Sequence, residues 1–225
     1  MITMFAAISA GPADEQLVQP QTSPAPSGGA IAAIAGRQLL VALRLLLAMT
    51  VVLGIGYPAI VLGLGQLVAP AAANGSLITG PDGQVVGSSL IGQDFVGDEW
   101  FTGRPSAAGD GYDAMSSGGS NLAADSPELQ QQIDDRRTEI AAANGVDPAT
   151  VPADAVTASG SGLDPDISPA YALLQVDRVA AVRGLPAQQV NDLVQLHIQG
   201  RTLGFIGEER VNVLELNLAL AQLAG

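Results

Sequence analysis

Apolar positions follow two regimes along this chain. From Leu45 to Leu64 the sequence reads LLLAMTVVLGIGYPAIVLGL, uncharged and mostly apolar. At a rise of about 1.5 Å per residue, roughly twenty such residues cross a hydrocarbon core about 30 Å thick. Backbone polar groups in lipid must be satisfied within the segment, so it is expected to be a helix. Gly54, Gly56 and Pro58 would weaken a water-exposed helix but are ordinary in a membrane span, and Pro58 predicts a bend near its middle.

After residue 70 the apolar residues come in short groups separated by turn signals. Gly80-Pro81-Asp82-Gly83 predicts a turn, followed by a short strand over Gln84 to Gly87. Residues 109–121, GDGYDAMSSGGSN, predict irregular chain. The later part has helical signals. Ser126 with Pro127 starts a helix that Asn144-Gly145 stops, with Leu129, Ile133 and Ile140 as its apolar stripe. Ser168 with Pro169 starts another, ended by Gly184, with Val176, Val179 and Ala180 inward. Pro186 opens a third, with Val190, Leu193, Val194, His197 and Ile198 on one side. The last segment, RVNVLELNLALAQL from Arg210, partly alternates as a strand would, but its length and its Leu, Glu and Ala content favour a helix. The expected organisation is a disordered tail over 1–35, an anchor helix over 36–69 and one domain over 70–225. The fold class is a single N-terminal transmembrane helix plus one α/β (α+β) domain, helical in its C-terminal half.

Charge adds a direction. Arg37 and Arg44 precede the apolar stretch, and the next basic residue is Arg104. The preference for positive residues on the cytoplasmic side puts the N-terminus inside and residues 70–225 outside. The rival is a cleaved signal peptide, for which Ala71-Ala72-Ala73 offers a small-residue site; the stretch is longer than the usual apolar region of roughly 7–15 residues. The net charge of −13 lies entirely beyond residue 70, where seven Arg face 20 acidic residues. Such a surface repels nucleic acid and anionic lipid head groups.

Missing residue types exclude much chemistry. With no Lys, a Walker A loop and Schiff-base catalysis are ruled out. With no Cys, so are disulfides, thiol nucleophiles and thiolate metal sites, and a single His197 cannot supply a multi-histidine zinc site. His197, on the apolar side of its helix, reads as a buried, hydrogen-bonded side chain rather than a catalytic one. Asp164 and Asp166 could hold a cation, although a helix cap in a solvated loop is the plainer reading. The loop Ser116, Ser117, Gly118, Gly119, Ser120, Asn121 resembles an anion-binding nest and is a weak candidate for nucleotide contact. Phe101 beside the lone Arg104 reads as a structural or interfacial pair. Gly54, Gly56 and Gly63 are candidates for close packing against other membrane helices.

These residues fall into longer phrases: VVGSSLIGQDF at 85–95, WFTGRPSAA at 100–108, SSGGSNL at 116–122, VPADAVTASGSGLDPDISPA at 151–170, QVDRVAAVRGL at 175–185 and HIQGRTLGFIGEERVNVLELNLAL at 197–220. In that order they resemble the KdpC family, the C subunit of the bacterial Kdp potassium-transporting P-type ATPase. The chain departs from the usual pattern at Ala123-Ala124, at Asp166 and at Glu209, where Pro is frequent. The resemblance implies an accessory subunit of a K+ import complex in the bacterial inner membrane, needed for assembly and stability. Its implied partners are a P-type catalytic subunit, a channel-like K+-translocating subunit and a small membrane subunit. It implies no cofactor of its own, ATP and K+ being handled by the complex. An alternative within the family is a catalytic chaperone that raises ATP affinity; a further idea is an acidic domain that concentrates K+. Outside the family, an anchored periplasmic enzyme or binding module remains open.

Overall fold

The computed structural model describes residues 28–223. The chain falls into two units, divided between Ile60 and Val61. In the first, helix α1 (Gly28–Val51) leads into one π-helical turn, Val52–Gly56, and then into the start of α2 (Tyr57–Val68), whose remainder falls in the second unit. The run Ile31–Val68 has 38 residues and includes an 18-residue stretch with a mean hydropathy of 2.4, long and apolar enough to cross a membrane. At about 1.5 Å per residue it extends roughly 57 Å, so one crossing leaves part of it outside the hydrocarbon. The described helix includes residues 28–35 of the expected tail, and the rest of that tail, 1–27, lies outside the described residues. Just before Pro58, where the sequence predicts a bend, the helix has a wider turn in which the Tyr57 N–H donates to the Val52 carbonyl. Proline has no N–H to offer and its ring crowds the carbonyl four residues back, so a locally widened turn accommodates it.

In the second unit, α3 (Pro70–Ala73) ends at Asn74, whose side chain exchanges two 3.1 Å hydrogen bonds with Gln66. Strands β1 (Leu77–Thr79) and β2 (Val85–Ser88) form an antiparallel hairpin around the expected Gly80–Gly83 turn. Six helices and a small sheet then build the core. Helix α4 (Pro127–Asn144) starts as expected: the Ser126 hydroxyl accepts from the Leu129 N–H, and Gly145 stops it in the left-handed conformation. After the one-turn α5 (Ala153–Val156) and β3 (Asp166–Ile167) come α6 (Pro169–Leu174), α7 (Val176–Arg183) and α8 (Ala187–His197). Strands β4 (Ile198–Gln199) and β5 (Arg210–Asn212) precede α9 (Val213–Leu223). The three-stranded sheet is antiparallel with β5 in the middle, Val211 lying opposite both Ile167 and Ile198. The unit is mostly helical with two small sheets, an α/β domain.

Two expectations are corrected. The segment from Arg210 is a strand for three residues before it is a helix: Val211 is fully buried between two strands, and the Asn212 side chain accepts from the Glu215 N–H and so caps α9. The single helix expected over 169–184 is two, broken at Gln175, whose N–H reverts to the tighter bond with the Ala172 carbonyl. Val179, Val190, Val194, Leu216, Leu220 and Phe101 form the centre of the core, each without exposed surface.

Candidate functional site

The segment Asp98 to Arg104 is the most heavily anchored irregular stretch in the domain. It begins with a turn at Asp98–Glu99, and the backbone of Phe101 and Thr102 then pairs with side chains in place of a neighbouring strand. Asn217, buried on α9, accepts from the Phe101 N–H at 2.9 Å and donates to the Phe101 carbonyl at 2.8 Å. Gln175, at the α6–α7 break, does the same for Thr102, accepting its N–H at 2.8 Å and donating to its carbonyl at 3.2 Å. A side-chain amide carries one donor and one acceptor side by side, as a peptide group does, so each extends the chain's pairing by one unit. Arg178 donates to the carbonyls of Asp98 and Trp100 and to the side chains of Asn144 and Gln175. Burial lowers the pKa of that guanidinium from its ordinary value, opposed by the nearby Asp98. Arg183 donates to the Glu99 carbonyl at 2.7 Å and stacks 4.2 Å from the centre of the Trp100 ring. The Tyr112 hydroxyl donates to the Arg104 carbonyl at 2.6 Å, and burial pushes that phenol up to about 12.

This arrangement separates the pair read as structural or interfacial. Phe101 has no exposed surface and packs in the core. Arg104 is partly exposed and ion-paired with Asp164 at 2.9 Å. Together with Arg210, which pairs with Asp166 at 3.0 Å, it lines an open cleft of about 430 Å3. Five carboxylates face that cleft, from Asp154, Asp164, Asp166, Glu208 and Glu209, against two guanidiniums. Desolvation raises the pKa of Asp166 despite the neighbouring Arg210. Asp164 also accepts the Asp166 N–H, and Asp154 accepts both the N–H and the hydroxyl of Ser168 at the start of α6. Among the described residues, no three acidic or histidine side chains converge as a metal site.

The Ser116–Asn121 loop packs against Ser159–Gly162. The Gly118 N–H and the Ser117 hydroxyl both donate to the Ser161 carbonyl, and the Ser116 N–H donates to Asp113. Gly162, in the left-handed region at φ +66°, has no room for a side chain: a Cβ would lie 2.6 Å from the Ala108 nitrogen. Part of the loop's donor set is therefore directed at protein carbonyls. His197 is half-buried, its Nδ1 2.8 Å from the Leu193 carbonyl, which fixes the tautomer with the proton on Nδ1. Gly54, Gly56 and Gly63 lie on the apolar helix, where a Cβ would meet only atoms of that helix, none nearer than 3.7 Å. The structure brings Arg104, Asp164 and Asp166 together at one cleft. The residues that sequence reasoning missed are Gln175, Asn212 and Asn217: buried amides within apolar helical or strand patterns, a mismatch that was the available signal.

Comparison with known proteins gives this architecture its context. The family model described as "KdpC: K+-transporting ATPase, c chain" matches residues 39–222. A potassium-transporting ATPase KdpC subunit from Kineococcus radiotolerans is 55% identical over 188 residues, covering 84% of this chain and 95% of the relative. The subunit of the same name from Streptomyces coelicolor is 52% identical over 213 residues, covering 84% and 94%. That from Gemmatimonas aurantiaca is 55% identical over 184 residues, covering 81% and 92%. The match takes in the apolar helix from residue 39 onward, the amide-clamped segment and the cleft, and with it the chain belongs to the KdpC family of K+-transporting ATPase subunits.

Proposed function

We propose that this chain is the non-catalytic accessory subunit of an ATP-driven K+ import complex. It is held in the membrane by one helix, with the N-terminus in the cytoplasm and the folded domain outside. It stabilises the assembly of a P-type catalytic subunit with a channel-like K+-translocating subunit and a small membrane subunit. ATP and K+ are handled by those partners, and this chain has no cofactor of its own. The observation that carries the reading is the continuous family match over 39–222, which spans membrane helix and domain together. Orientation is supported by Arg37 and Arg44 preceding the helix with no basic residue between them and Arg104. The non-catalytic role is supported by the engagement of the domain's charged groups: Arg104, Arg178, Arg183 and Arg210 are tied to carbonyls or carboxylates that shape the fold. The cleft's excess of carboxylates is poorly suited to nucleotide phosphates.

Two measurements test this. Because the chain has no cysteine, Ser88→Cys introduces a unique label site. It should react with a membrane-impermeant thiol reagent applied from outside, whereas Ser27→Cys should not; the opposite pattern overturns the topology. The full chain should raise the yield of intact, K+-stimulated ATPase without changing turnover per intact complex. Complexes that form normally without this chain, or that form with it but turn over at a different rate, would defeat the assembly role.

A further inference from the structure

Residues Gly200–Glu209 form the most exposed excursion of the domain, every one of them open to solvent. Within it Leu203, Phe205 and Ile206 are 79%, 72% and 51% exposed. Isolated exposed apolar side chains are normal on any protein; three within four residues, on one tight turn, are not. The turn is preformed. Thr202 and Ile206 exchange two 2.9 Å backbone hydrogen bonds, and the Gly204 N–H donates to the Arg201 carbonyl. Leu203 and Gly204 both lie in the left-handed region, at φ +55° and +81°. Glycine adopts that conformation freely, but leucine does so only against a steric penalty, and here the strained residue presents an exposed apolar side chain. The core does not account for this tip, since none of the three side chains is buried. A rigid turn that already holds its apolar groups outward loses little further freedom on binding.

From this geometry we infer that the Leu203–Ile206 tip is an anchor that inserts into an apolar pocket on another subunit of the transport complex. The inference rests on the accessory-subunit reading above. The charge around the tip chooses the partner's chemistry. Glu208 and Glu209 follow it directly, and Arg201 precedes it, so the receiving pocket has a rim with basic groups facing the two carboxylates. A bilayer surface is the poorer fit: adjacent carboxylates on an acidic domain are repelled by anionic head groups. Three side chains are too few to make a whole interface, but they are the size of a hot spot within one. The cleft that holds Arg104 and Asp164 is lined by Glu208 and Glu209 as well, so the base of the hairpin and the cleft are continuous.

The test uses the full chain co-expressed with its ATPase partners. Leu203→Ser with Phe205→Ser should lower co-purification of this chain with the other subunits by about tenfold or more, as expected for loss of a hot spot. Met115→Ser, which removes an even more exposed apolar side chain elsewhere, should leave it unchanged. Far-ultraviolet circular dichroism of the double variant should match that of the unsubstituted chain, because the tip contributes no core. A photoreactive phenylalanine analogue at position 205 should cross-link to a protein subunit of the complex. Cross-linking to phospholipid, cross-linking to a second copy of this chain, or undiminished assembly of the double variant each overturns the proposal. Failure of the unsubstituted chain to co-purify with any ATPase subunit would instead overturn the accessory-subunit reading, and the anchor with it.

Discussion

Two short segments of this domain have similar composition and opposite fates. Residues 100–105 read WFTGRP and residues 201–207 read RTLGFIG, each with an aromatic, a glycine and an arginine. Phe101 has no exposed surface, while Phe205 is 72% exposed. The difference lies in where each backbone finds its hydrogen bonds. The first segment is paired with Asn217 and Gln175, residues more than seventy positions away, which draw it into the core. The second is closed on itself by Thr202 and Ile206 and so stands free of everything else. A segment that borrows its hydrogen bonds from distant side chains belongs to the core; one that supplies its own can project from it.

Perturbations should separate the two segments sharply. Phe101→Ala should cost the domain about 3–5 kcal/mol, the usual range for emptying a fully buried aromatic site, measured by denaturant unfolding of the full chain in detergent. A loss below about 1 kcal/mol would contradict the core assignment. Asn217→Leu keeps the volume but strands the Phe101 N–H and carbonyl in the core. It should cost about 1–3 kcal/mol per unpaired group, and Trp100 fluorescence should report loosening of the segment at lower denaturant than in the unsubstituted chain. At the hairpin the expectation reverses. Phe205→Ser should change stability by no more than about 0.5 kcal/mol while weakening assembly.

The smallest effect concerns pH at the base of the hairpin. Burial raises the folded-state pKa of Asp166 above its ordinary value near 3.8. Such a group favours the fold below its unfolded pKa, and that contribution is lost as pH rises through the higher folded value. Asp166→Asn is free of this loss. Its stability relative to the unsubstituted chain should therefore be more favourable at about pH 7 than at about pH 4. The opposite trend in paired unfolding curves would show that Arg210, 3.0 Å away, outweighs desolvation.

What could be read from the sequence was local. Ser126-Pro127 and Ser168-Pro169 start helices, and Gly145 and Gly184 stop them, because a cap needs only its own turn. The apolar helix was legible for the same reason, as was the Gly80–Gly83 turn. The pairing of Phe101 with Asn217 spans 116 positions and leaves no trace in either neighbourhood. That is why Phe101 and Arg104 read as one structural or interfacial pair, when one is core and the other is held at a cleft. The switch from strand to helix at Asn212 was hidden similarly. Alternation and helical repeat overlap in Val211, Val213 and Leu214, and the residue that decides between them acts through its cap on Glu215 and its bond to the Ser89 carbonyl. The cleft could be anticipated only as separate acidic and basic residues.

The π-helical turn at Val52–Gly56 has a consequence for how the apolar helix meets its surroundings. A π turn holds one residue more than an α turn, so every residue after it lags by about 100° around the axis. Ile60 takes the angular place that residue 59 would hold on an unbroken helix. Tyr57 to Ile60 therefore present faces out of phase with those of Leu43 to Val51. Removing a single residue within the turn would bring the two stretches back into phase and set the Pro58 ring against the carbonyl behind it. The widened turn thus works as a phase shifter within the apolar helix.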